Sequence, residues 1–155
     1  MQEYTWFYSL KEMPDAAAAA RMQAGFDAFL ANWKSHGTPV DGLIRFVYNR
    51  FIIIQSDPGQ GRPSGCSIDS LRRGVEQVLS DCGVEWLDAS HIFYRDAQGE
   101  IRYAHFSQIK SLVAEGGLHE GAIVFDHSLG QSDDLDQWEK PMAQTWMRRH
   151  LPRHA

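Results

Sequence analysis

The stretch Leu43–Ser56, Leu-Ile-Arg-Phe-Val-Tyr-Asn-Arg-Phe-Ile-Ile-Ile-Gln-Ser, constrains the fold more than any other part of the chain. It is dense in β-branched and aromatic residues, which favour strands over helices. With Asn49-Arg50 as a two-residue turn it reads as a hairpin of 43–48 and 51–56; a single long strand is the alternative. A Pro/Gly loop follows, Asp57-Pro58-Gly59-Gln60-Gly61-Arg62-Pro63. An amphipathic helix comes next, with Ile68, Leu71, Val75, Val78, Leu79 and Cys82 on one face and Gly83 as its stop.

The flanks repeat this pattern. Residues 3–9 suggest a strand. Pro14-Asp15 opens a helix whose apolar face is Met22, Phe26, Phe29, Leu30 and Trp33, with Gly37 as a plausible stop. His91–Tyr94 and Ile101–His105 flank Asp96-Ala97-Gln98-Gly99 as a second hairpin. Ser107 caps a helix ending at Gly116-Gly117, and Ala122–Phe125 reads as a short buried strand. Asp133–Trp138 and Pro141–His150 read as two closing helices, Asp133, Asp134 and Asp136 forming a charged first turn. Hairpins between helices predict an α+β fold: a single domain, 1–155, with a largely antiparallel sheet packed by about four helices, and 147–155 as a frayed tail.

Composition narrows the function. The 155 residues are 43% hydrophobic and 23% charged, as in a globular protein with a real core. A net charge of −5 argues against a nucleic-acid partner, because phosphate contacts need clustered Lys and Arg. The one basic cluster, Arg148, Arg149 and Arg153 with His150 and His154, reads as a solvated tail. The opening residues lack the pattern of a signal peptide, and no apolar run is long enough to span a membrane. Cys66 and Cys82 lie about 24 Å apart along one expected helix, too far to pair within it. Together these predict a cytoplasmic protein without a membrane partner.

The segment Ser64-Gly65-Cys66-Ser67-Ile68-Asp69-Ser70 is the strongest site candidate. Helix-start amides favour negative charge, so Cys66 there is either a lowered-pKa thiolate, with His36 as base or orienting group, or a small residue packed where Gly65 lets the backbone pass closely. Ser67 or Asp69 is expected to cap the helix, and Asp69 adds a charge that opposes a thiolate. The loop before it, with Arg62, Ser64 and Gly65, offers amides to an anion, Ser67, Asp69 and Ser70 completing the set. Its glycines miss the dinucleotide fingerprint by one residue.

Other constellations are weaker. Cys66 to Arg72 has the C-x5-R spacing of cysteine phosphatases, but Asp69 falls inside what must be an anion cradle. His91, His105, His119 and His127, with Asp88 and Asp126, lack metal-ligand spacing, so neither a metal nor any other cofactor is expected. No G-x-S-x-G elbow supports a Ser-His-Asp triad. The five tryptophans, Trp6, Trp33, Trp86, Trp138 and Trp146, read mainly as core, Trp138 and Trp146 alternatively as a partner patch.

Trp33-x-x-His36-Gly37, Asn49-Arg50-Phe51, Ser64-Gly65-Cys66-Ser67-Ile68-Asp69-Ser70, Trp138-x-x-Pro141 and Trp146, in that order, resemble a small bacterial family of about this length, sometimes labelled "ABC transporter ATPase". The resemblance spans nearly the whole chain and implies a shared fold and a shared site. The residues do not support the label: a P-loop requires a lysine where this chain has Cys66. The expectation is therefore a binding module for a small anionic ligand or a protein partner, centred on loop 57–65 and residues 66–70. The alternative is a thiol-dependent enzyme or redox protein using Cys66 with His36. Oligomeric state is not encoded in any motif.

Overall fold

A computed structural model describes residues 4–35, 38–39, 41–57, 65–127 and 137–153. These fall into two compact units, one running through Leu87 and one starting at Asp88, each with its own apolar core. The chain is mixed α+β; among the described residues there are three α-helices, two four-stranded antiparallel sheets and one two-stranded antiparallel pair, where the sequence suggested one sheet and about four helices. No described helix is long and apolar enough to cross a membrane.

In the first unit, β1 (Tyr4–Leu10) is followed by α1 (Ala16–Asn32), the short pair β2 (Lys34–Ser35) and β3 (Thr38–Pro39), then β4 (Asp41–Val47) and β5 (Phe51–Asp57). α2 (Gly65–Asp81) and β6 (Trp86–Leu87) complete it, and the sheet order is β4-β5-β1-β6. The 43–56 run is thus a hairpin, with Val47 opposite Phe51. Its turn is centred on Tyr48 and Asn49, at φ 54° and 53°, one residue earlier than the sequence suggests. Both dihedrals are left-handed, which matches the twist of paired strands.

Tyr8, Ile44, Ile52 and Ile54 share a sheet face, because alternate strand residues point the same way. They pack against Met22, Phe26 and Trp33 from the α1 segment and Leu71, Val75 and Leu79 of α2. The expected apolar faces of both helices are therefore the faces used, except that the Ile68 side chain lies outside the described residues. Asp15 caps α1 by accepting from the Ala18 amide at 2.7 Å. α1 stops at Trp33 rather than at Gly37, because the Trp33 backbone is already extended at ψ 127°; Gly37 is outside the described residues.

In the second unit, β7 (His91–Arg95) and β8 (Ile101–His105) form the expected hairpin, Phe93 opposite Tyr103. The Asp96 carboxylate accepts from the Gln98 and Glu100 amides and holds this turn. α3 (Ile109–Glu115), β9 (Ile123–Phe125) and β10 (Glu139–Pro141) follow, and the sheet order is β10-β9-β7-β8. Ser107 does not cap α3. A 3-10 turn, Phe106–Gln108, precedes the helix and is capped reciprocally by His105 and Gln108.

The expected helix over 141–150 is replaced by β10 and two 3-10 turns, Met142–Gln144 and Trp146–His150. Thr145 interrupts it. Its backbone is extended (φ −119°, ψ 173°), its hydroxyl donates to the Met142 carbonyl at 2.8 Å, and its oxygen accepts from the Met147 amide. A Thr whose side chain satisfies local backbone groups competes directly with helix continuation. Residues 133–136 of the other closing helix, Asp133–Trp138, lie outside the described residues.

Candidate functional site

α2 begins at Gly65, so Cys66 and Ser67 lie in its first turn. This corrects the capping role expected of Ser67 and Asp69. A cap residue has non-helical backbone, whereas both lie inside the helix, Asp69 one turn further in than its expected place. The Asp69 side chain is exposed, Ser70 is half-buried, and the Asp69 carbonyl accepts from Arg73 Nε at 3.3 Å. His36, Arg62 and Ser64 lie outside the described residues, as do the side chains of Cys66 and Ser67, so the approach of His36 to Cys66 does too. Cys82, one residue past α2, is a free thiol packed against the first core.

A cluster of Asp88, Ser90 and His91 has the composition of a catalytic triad without its geometry. In a triad the imidazole stands between the hydroxyl and the carboxylate and uses a different nitrogen for each. Here a single atom, His91 Nδ1, lies 3.3 Å from Ser90 Oγ and 3.2 Å from Asp88 Oδ1, and the Ser90 hydroxyl itself donates to Asp88. The Asp88 carboxyl is held below its usual range by the Ser90 hydroxyl, then by the Ser90 amide and His91. This is a closed turn at the start of β7. His105 lies opposite on β8, ring centroids 5.6 Å apart. Among the described residues no group of three His, Cys, Asp or Glu side chains is arranged to hold a metal ion.

Asp126 and Lys140 form a largely buried pair at 3.4 Å, and Asp126 is only 5% exposed. Next to it, His127 lies mostly out of water, stacked on Trp138 at 16° and tilted against Phe93. Burial pushes its pKa down to about 4, against the opposing pull of the Asp126 charge. The imidazole is therefore neutral at physiological pH. Trp138 is buried against Phe125, ring centroids 5.0 Å apart, while Trp146 is 41% exposed; they do not form a shared surface patch.

One concave feature of the second unit is built from the segment that reads as a solvated tail. α3 ends at Gly116, whose φ of +84° lets its amide reach back to the Leu112 and Val113 carbonyls. That left-handed geometry favours glycine. The chain then reverses and drives Leu118 fully into the core. Across from it, Met147 is buried at 1% exposure and Leu151 packs on the same core, so the terminal segment is anchored rather than frayed. With Met147 facing inward, Arg148 and Arg149 face outward, and Pro152 carries the backbone on to an exposed Arg153.

The result is a basin of about 620 Å³, within the range of small-molecule sites. Val113, Leu151 and Pro152 give it apolar surface over the buried Leu118, and Arg148, Arg149, Arg153, His119 and Glu120 form its polar part. Arg149 lies over the Trp146 ring at 5.2 Å from its centroid. Beside it, the His150 pKa is lowered by burial and then by the charges of Arg149 and Lys110. Sequence reading found the cationic residues but not the basin, because its other wall comes from about thirty residues earlier in the chain.

Comparison with protein-family models, curated proteins and solved structures finds no match to this chain. The chemistry of the site therefore rests on its own geometry.

Proposed function

We propose that the protein is a cytoplasmic binding module for a small anionic ligand, and that the basin between the end of α3 and the Trp146–His150 turn is where it binds. One observation carries this reading. In a chain of net charge −5, three guanidiniums collect on the rim of one concave basin with a single carboxylate, Glu120, among them. A rim with excess positive charge beside low-dielectric walls concentrates anions, and guanidiniums bind carboxylates and phosphates through paired donors. Loop 57–65, with Arg62, Ser64 and Gly65 and the start of α2, is the alternative centre for the same class of ligand, and a protein is the alternative partner.

Calorimetric titration with inorganic phosphate and with simple carboxylates tests the reading. Saturable binding that weakens with salt and is lost in Arg148→Gln/Arg153→Gln supports the basin. Loss in Arg62→Gln instead supports the loop. Absence of binding to any anion refutes the module.

A second reading, thiol chemistry at Cys66, is favoured by the position of that residue in the first turn of the seventeen-residue α2, where helix-end amides lower a thiol pKa. Alkylation rates against pH in a Cys82→Ala background decide it. A thiolate titrating well below the usual value of about 8.5 supports this reading, and a Cys66 that resists alkylation in the folded protein excludes it.

A further inference from the structure

Resting on the basin reading above, we infer that the ligand there is a medium-chain aliphatic carboxylate, its chain on the apolar surface of Val113, Leu151 and Pro152 and its carboxylate at Arg148 and Arg153. Charge alone explains only half of the basin. Free phosphate or another compact anion uses the rim and leaves the apolar floor in water. A neutral apolar molecule uses the floor and leaves the guanidiniums without purpose.

The floor is aliphatic. The lining includes Val113, Leu118, Leu151 and Pro152, and the single ring with π character is the imidazole of His119. Nucleotides are commonly held by stacking on aromatic side chains, and this surface has none to offer a base. It suits a flexible hydrocarbon chain, whose attraction to it is non-directional and grows with the area removed from water.

The cations differ in availability. The Arg149 guanidinium lies over Trp146, and its Nε is 3.4 Å from His150 Nε2. Arg148 and Arg153 are exposed, and among the described residues neither guanidinium has a hydrogen bond or ion pair. In the chain they come three residues before and two residues after Leu151, whose side chain packs on the second core, and both line the basin. One head group placed between them completes two charge-assisted contacts while its chain follows Leu151 downward.

The test is a calorimetric titration of the full chain with acetate, hexanoate, octanoate, decanoate, decanol and inorganic phosphate, each below its aggregation concentration. The expected result is one site per chain, tightening about five- to tenfold for each added pair of methylenes. Decanol binds about tenfold or more weaker than decanoate, and Arg148→Gln/Arg153→Gln reduces decanoate to the level of decanol. Both arginines are exposed, so the variant keeps the wild-type unfolding midpoint.

Acetate or phosphate binding as tightly as decanoate overturns this inference and leaves the anion-binding module standing. Decanol matching decanoate, with no effect of the arginine variant, overturns both. Failure of every probe to bind also overturns both. Decanoate affinity that falls in Arg62→Gln and not in the rim variant overturns the assignment to this basin.

Discussion

Replacing Gly74 by alanine is expected to destabilise the first unit, against the trend for a helix interior. Alanine is the better helix former by about 1 kcal/mol, so an isolated α2 gains from the change. In the folded protein α1 and α2 meet through two glycines. A Cβ on Gly74 collides with Cε2 and Cδ2 of Phe29 and falls 2.9 Å from its Cζ, and one on Gly25 falls 2.8 Å from Val78 Cγ1. Contacts that short force Phe29 to move. Phe29 packs against the first core and against the Trp33 ring, centroids 6.3 Å apart, so its displacement opens the same cluster. Overpacking of this kind costs about 1–3 kcal/mol; offset by the helix-propensity gain of about 1 kcal/mol, the net loss is up to about 2 kcal/mol. Urea unfolding followed by circular dichroism measures it as a lowered midpoint. The control is a double-mutant cycle with Phe29→Leu, whose shorter side chain removes the clash. In that background Gly74→Ala is expected to be neutral or stabilising, giving a coupling of at least about 1 kcal/mol. A Gly74→Ala protein more stable than wild type, or a cycle with no coupling, refutes the close helix approach.

Two further predictions concern buried polar groups. Arg50, 8% exposed, donates from Nε to the Leu10 carbonyl and from Nη2 to the Lys11 carbonyl, each at 2.7 Å, and so ties the β4–β5 turn to the end of β1. Arg50→Met is expected to lower stability by about 2–3 kcal/mol, with Arg50→Lys intermediate because it lacks the fork; a Met variant with the wild-type urea midpoint refutes that role. His127 links stability to acid. Its pKa is depressed from an unfolded value of 6.5 to about 4, so its contribution is intact above about pH 6.5 and is lost as the pH falls toward 4, where the unfolded chain binds the proton first. At pH 5 this amounts to about 2 kcal/mol. His127→Phe is expected to show a flatter stability profile between pH 7 and 4.5, and a profile parallel to wild type counts against a buried neutral imidazole.

Much of the local structure was readable from residue order. The β-branched run 51–54 could only be strand, and Asp15, Gly83 and Gly116 mark helix ends through chemistry that acts over one turn. The apolar periodicities named the buried faces of α1 and α2 before any packing was known. The errors fell where two local tendencies compete. Residues 141–150 carry helix-forming side chains, yet Pro141 pairs with Ile123 as a strand and Thr145 satisfies its neighbours' backbone groups in place of a helical turn. At α2 a Ser and an Asp that favour caps lie inside the helix.

The candidate sites divide along the same line. Residue types alone singled out Cys66 and the 57–65 loop, because a thiol beside glycine at a helix start is a one-dimensional signal. The basic residues at 148–153 carry no such signal, and by composition they are a solvated tail. Tertiary structure alone makes them the wall of a basin: Met147 and Leu151 turn inward, the guanidiniums between and beyond them turn outward, and the reversal at Gly116 brings Val113 and Leu118 in as the opposite wall. Fold class, helix faces and several element ends are legible in residue order, because propensity, capping and hydrophobic period act over a few residues. The basin needed the fold, because concavity is a relation between segments distant in the chain.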